Sequence, residues 1–481
     1  MRDMIAGLPR WAVLPLVALA GRALTFGNPA LHVDEAFYLE VSDAMLRGAM
    51  PYVDVWDRKP IGLFLLYALP AFFGVKAGIW IYQAMALACV VATALGIARL
   101  ADRAGWSKGA VWAGIAYLVW LNLLEGQGGQ APVFYNLLTV CACLLAAPRA
   151  DDAARPGRRF FGGLGAMALV GLAIQVKYSV VFEGLFLGLW LMWREWRLGR
   201  SALAVLPLGA AWAAAALAPT GAAWAAFAAT GHGDAFVFAN FTSILARRPD
   251  PLLEQLGNLF KILLLTSPLI AMGVLSWLLP LGQGNAQVQR RFLFGWLIAA
   301  ALGLLLFGSW FDHYALPLLA PLAACAAGFI GDHRDGRRWA LPALALFFLG
   351  GHALMATKLH NRGTPAEYYR LVETVGRGPG CLYVYSGPPL LYSLTGRCHV
   401  SRYIFPSHLG RLREAGAIGV DSRAEIRRIL TEKPAVVVVR PPYHGEYAEM
   451  RALVLEEMKR SYGPPRQVTL GLLEISVYRR K

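Results

Sequence analysis

The chain has 481 residues, of which 57% are hydrophobic and 16% charged, with a mean hydropathy of +0.47. A soluble core of this length does not need so much apolar side chain, so the composition implies a membrane protein and excludes a water-soluble enzyme. The net charge of +16 does not point to nucleic acid, because the basic residues stand in short clusters between apolar runs, the arrangement that fixes membrane topology.

Residues 1–26 carry basic groups and an apolar stretch without a small-residue cleavage site, and read as a retained first helix. The next stretch, 32–62, is the most informative: HVDEAFYLEVSDAMLRGAMPYVDVWDRKPIG. Between Ala36 and Leu46 apolar residues recur at helical spacing while Glu40 and Asp43 take the other side. This predicts an amphipathic helix on the membrane surface with Asp34 and Glu35 at its N-terminus. The helix dipole favours carboxylates there, so the pair can be a cap or can carry chemistry. The same loop then brings Asp54, Asp57, Arg58, Lys59 and Pro60 to the edge of an apolar segment. Acids beside bases at a membrane edge suit a lipid-phosphate substrate: a carboxylate takes the proton of an attacking hydroxyl, and a cation offsets charge on a departing phosphate. Headgroup anchoring is the structural alternative for Arg58 and Lys59.

That apolar segment, 61–74, reaches only about 21 Å as a helix and is read as interfacial. Runs 78–98, 160–176, 202–219, 260–281 and 339–356 are long enough to cross about 30 Å of hydrocarbon. Five basic clusters, around Arg99, Arg149, Arg194, Arg290 and Arg334, are expected in the cytoplasm, and the connections 122–132, 175–179, 219–258 and 308–313 outside. About eleven spans result, with the tail outside. From 357 the charge rises and apolar runs shorten. Segments 381–385, 435–439 and 470–478 read as strands, and 423–431 and 446–460 as amphipathic helices, giving a small α/β domain. The expected division is a transmembrane domain, 1–356, whose first outer loop is 27–60, and an outer domain, 357–481. Cys381 and Cys398 are the pair placed for a disulfide if the tail meets an oxidising compartment.

The pattern carried by Asp34, Glu35, Tyr38, Ser42, Gly48, Pro51, Tyr52, Asp54, Trp56, Asp57, Lys59 and Pro60 resembles the opening of the GT-C glycosyltransferases of the dolichyl-phosphate-mannose protein mannosyltransferase and lipid A aminoarabinose transferase group. The likeness is clearest over the first hundred or so residues, and extends to the whole chain in architecture. This sequence has Lys-Pro-Ile-Gly where many relatives have two prolines in a row. The resemblance implies a polytopic α-helical GT-C fold with interfacial helices. It implies a catalytic carboxylate at Asp34, with Glu35 as its neighbour or a metal-site member, and a donor-phosphate contact at Lys59; Arg58, a cation beside it in the same loop, is a second phosphate-binding candidate. Tyr38 and Asp57 are substrate-binding candidates, and Asp34 is also the candidate ligand of a divalent metal.

Further along, Lys177 with Tyr178 at an outer turn, and His313 in Asp312-His313-Tyr314, match elements of the same group and are candidates for the donor phosphate and substrate; a snorkelling lysine and a helix-start histidine are the alternatives. Asn240 in the 219–258 loop is a weaker substrate candidate. Glu183, within the bilayer, is either functional or paired with Arg22. No P-loop, zinc-ligand spacing or nucleophile elbow occurs.

The expected activity is inverting transfer of one sugar from a polyprenyl-phosphate donor to a lipid, glycan or protein acceptor at the periplasmic face of a bacterial inner membrane. A flippase would place its charges nearer the midplane. An oligosaccharide ligase acting on a diphosphate carrier is the rival enzyme.

Overall fold

The computed structural model describes residues 9–149, 151–152, 154–280 and 282–481. The first eight residues of the expected N-terminal helix and the last of the 260–281 run lie outside them. Among the described residues seven helices are long and apolar enough to cross a membrane: Val75–Arg103, Pro156–Ile174, Ala202–Ala229, Leu252–Trp277, Gly284–Phe307, Asp312–Asp332 and Gly336–Val375. Three shorter apolar helices, Ile61–Phe72, Ala110–Leu123 and Ala131–Ala146, accompany them. The five apolar runs each seed a helix; Pro156–Ile174 and Leu252–Trp277 start earlier and end earlier than expected, and Ala202–Ala229 continues through Pro219.

The chain forms two compact units. The first comprises the described part of Met1–Leu24 with Ala84–Ala222 and Pro251–Leu354. Its central helix, Leu316–Asp332, is apolar all round and buried along nearly its whole length. A Cβ on Gly109 would lie 1.9 Å from the Ala327 carbonyl oxygen, and one on Gly331 would lie 2.4 Å from the Gly109 nitrogen. Small residues here let two backbones touch, as packing between membrane helices requires. Arg22 donates to the Gly126 carbonyl at 2.7 Å and to that of Gly128. Glu183 is therefore not Arg22's partner; its Oε1 accepts from Trp296 Nε1 at 2.6 Å.

The second unit comprises Thr25–Gln83, Ala223–Asp250 and Met355–Lys481. The first outer loop thus folds with the tail, and the helix Gly336–Arg362 runs through the position where composition alone changes. In the tail, β1 (Leu382–Ser386) pairs in parallel with β2 (Val436–Val439); β2 pairs antiparallel with β4 (Leu473–Arg479), and β4 with β3 (Arg466–Leu470). The sheet order is β1-β2-β4-β3. Helices Ser422–Thr431 and Ala448–Ser461 pack beside it, their apolar faces in one core with the sheet. Cys381 and Cys398 form a disulfide that ties the start of β1 to the segment before His399.

Candidate active site

The loop's first helix runs Val33–Leu46, with Asp34 and Glu35 in its first turn. The residue before it, His32, makes no side-chain cap, so the acidic pair is not part of a capping box. Asp34 is half-buried and Glu35 is 2% exposed. The polar side of this helix does not face solvent or headgroups, as the spacing suggests. Glu40 is fully buried, accepts from the Ser393 backbone N–H at 3.0 Å and lies 3.2 Å from His399 Nε2. Asp43 accepts from the Ser393 hydroxyl at 2.5 Å. The tail domain covers these carboxylates, an arrangement that helical periodicity does not reveal.

The charges of Glu35 and Asp34 act on the Tyr67 hydroxyl, and the Tyr82 hydroxyl is in hydrogen-bonding reach of Glu35. Tyr67 stacks edge-on against Tyr38 at 5.4 Å between ring centres and lies 5.2 Å from Tyr82. Lys59 Nζ sits 5.9 Å over the Tyr38 ring. Asp34, Glu35 and Lys59 are thus grouped around a wall of three tyrosines, Tyr38, Tyr67 and Tyr82. Tyr67 and Tyr82 escape sequence reading; the one signal for Tyr67 is a phenol in an otherwise apolar helix.

The backbone holds Lys59 firmly. Tyr52 occupies the left-handed region at φ 69°, its N–H donates to Val55 O at 2.7 Å, and its hydroxyl donates to Lys59 O at 2.9 Å. A non-glycine residue in this region is costly and persists where its surroundings fix it; here Phe227 and Phe236 pack on the Tyr52 ring. Asp54 accepts from the Met50 N–H at 2.8 Å.

Arg58, expected at the donor phosphate, is committed elsewhere. Nε donates to Ser243 Oγ at 2.8 Å, one Nη to Glu414 Oε2 at 2.6 Å, and the other to Ala417 O at 3.3 Å. Asp57, expected to bind substrate, is 6% exposed and lies 3.7 Å from His408 Nε2. Burial alone would raise the Asp57 carboxyl, but the Lys59 charge and His408 outweigh it and hold it at about 2. Asn240 is buried and donates to Phe236 O at 2.8 Å, inside a wide helical turn, Phe238–Thr242.

In the first unit, Lys177 and His313 come together around one ring. Lys177 Nζ lies 4.6 Å over Tyr314, and the His313 ring meets it edge-on at 4.9 Å. His313 Nδ1 is 3.6 Å from Glu125 Oε2, and Asp312 pairs with Lys261 at 2.5 Å. Glu125, Ser309 and Trp310 all have positive φ, at 62°, 54° and 40°. Strain of this kind collects at functional sites. Glu125 went unread, although it is a lone acid in a loop otherwise poor in charge. Lys177 also opens a small cavity with Ser179, Glu183, Phe307 and Tyr314, and Tyr178 follows it in a short turn, Tyr178–Val180.

Among the described residues no three His, Cys, Asp or Glu side chains gather as a metal-binding group.

No family model matches the sequence, and no curated protein matches it; the likeness lies in the fold. Over 97% of this chain and 96% of the other, it superposes on ArnT from Cupriavidus metallidurans bound to undecaprenyl phosphate, with a TM-score of 0.62 at 14% identity. The apo state of that protein gives 0.56 at 15% identity, covering 97% of each chain. The Archaeoglobus fulgidus oligosaccharyltransferase tethered to an acceptor peptide gives 0.54 at 12%, covering 98% of this chain and 74% of that one. The chain therefore has the polytopic GT-C membrane fold.

Proposed function

We propose that the chain is a membrane glycosyltransferase that moves a single sugar from a polyprenyl-phosphate donor to a lipid, glycan or protein acceptor, with inversion. The observation that carries this reading is the half-buried Asp34 at the tyrosine wall that also holds Lys59. The GT-C fold supports it, because one solved structure with that fold is bound to undecaprenyl phosphate.

Asp34 accepts the proton of the acceptor hydroxyl. The acceptor oxygen bonds to the anomeric carbon from the face opposite the phosphate, and the bond from that carbon to the phosphate oxygen breaks. The electron pair leaves with the lipid phosphate, whose charge Lys59 offsets. A phosphate is a fair leaving group, so orientation and charge stabilisation supply most of the rate. Glu35, buried against Tyr82, supports its neighbour rather than meeting the acceptor. The Lys177, Tyr314 and His313 cluster offers a second cationic surface of the kind a donor phosphate takes. The Cys381–Cys398 disulfide suits an oxidising compartment and supports a site facing the periplasm of a bacterial inner membrane.

Purified protein incubated with a panel of polyprenyl-phosphate sugars and envelope acceptors tests this. Release of free polyprenyl phosphate coupled to glycosylated acceptor is expected for at least one donor. Movement of intact donor across vesicles without bond cleavage, or reaction with diphosphate-linked oligosaccharides alone, would overturn it.

A further inference from the structure

The three residues before Lys59 are all held by the tail domain. Trp56 is 1% exposed and belongs to that domain's core, with Tyr403, Leu409, Ile418, Ile426 and Met450. Its backbone N–H donates to Arg402 O at 3.0 Å, and its ring meets His408 edge-on at 4.7 Å. Asp57 lies 3.7 Å from Nε2 of that imidazole, and Arg58 is clamped by Glu414. Glu414 is itself 2% exposed and fixed by Arg247 at 2.6 Å. Beyond Lys59, Pro60 leads directly into Ile61–Phe72. The Lys59 main chain thus has no slack: a strap anchored in the tail precedes it, Tyr52 holds its carbonyl, and a helix follows it.

We propose that Glu414 and His408 are positioning residues for Lys59, so that the tail domain sets where the donor phosphate is bound. A long, flexible lysine gives a precise phosphate contact only if its root is fixed. Two buried side chains 6 positions apart in the tail, the Glu414 carboxylate and the His408 imidazole, each gripping a residue adjacent or nearly adjacent to Lys59, supply that fixation. This rests on Lys59 being the phosphate contact of the proposed transferase.

The test is a double-mutant cycle on the full-length protein, read by binding of a short polyprenyl phosphate and by the donor KM and kcat of transfer. Glu414→Gln is expected to weaken phosphate binding and raise donor KM about tenfold, with a smaller change in kcat. Lys59→Ala weakens binding too, and the double variant should bind no worse than Lys59→Ala alone, because Glu414 acts through Lys59. Losses that add, or Glu414→Gln binding like wild type, would overturn the proposal and leave the transferase reading standing. Lys59→Ala binding like wild type would instead remove the premise that Lys59 meets the phosphate. If Glu414→Gln does not fold, Arg58→Lys and His408→Asn enter the same cycle with the same decisive outcomes.

Discussion

The two halves of the first outer loop carry similar acids in opposite circumstances. Asp34 is half-buried at a tyrosine wall, in the first turn of its helix. Asp57, 23 positions on in the same loop, is sealed between Lys59 and His408 and held charged down to about 2. Both belong to one sequence pattern, so the pattern does not separate the acid that can meet a substrate from the acid that fastens the loop. Burial and partners make that separation.

The sharpest way to break the comparison is to attack the fastening half. Trp56→Ala removes a fully buried indole from the tail core and should cost about 3–5 kcal/mol of stability, whereas Asp34→Asn, at a half-exposed position, should cost about 0.5 kcal/mol or less. Denaturant unfolding of the disulfide-intact protein checks both; equal losses would erase the distinction between the halves.

A smaller effect should come from acid. Burial pushes His408 below its ordinary 6.5 despite Asp57 and Glu414, with the Arg58 charge adding to the push. The unfolded chain therefore takes up that proton first, and stability falls as the pH drops below 6.5. For Asp57, burial raises the carboxyl but Lys59 and His408 prevail; for Glu414 it is outweighed by Arg247 and Arg58. These depressed acids stabilise above their unfolded values, and for Asp57 that stability is lost between 3.8 and about 2. His408→Asn should flatten the upper part of the unfolding-midpoint curve and weaken the lower part, because Asp57 and Glu414 lose the imidazole that helps to hold them down. An unchanged upper slope would place its origin elsewhere.

Much of this fold is legible in the sequence, because long apolar runs and strand-length apolar segments are local signals. The tail strands appear within a few residues of where Cys381, Ala435 and Leu470 suggest them. The exception is β3, which goes unpredicted: the expected strand 470–478 covers β4 and reaches only the last residue of β3, from which Gly471 and Leu472 separate it. Gly471 adopts φ 61°, and a Cβ there would lie 2.4 Å from Asn361 O, so this tight turn depends on glycine. The site is legible in part. Asp34, Glu35, Tyr38 and Lys59 group as one cluster, and Lys177 meets His313 around Tyr314. The clamp on Arg58 joins residues 356 positions apart, and no local spacing encodes such a pairing.

Transfer by Asp34→Asn tests the central claim most directly. With donor binding and unfolding midpoint checked in parallel, the rate should fall by about 10²–10⁴-fold while both other readouts stay near wild type. Wild-type transfer by this variant would contradict the account.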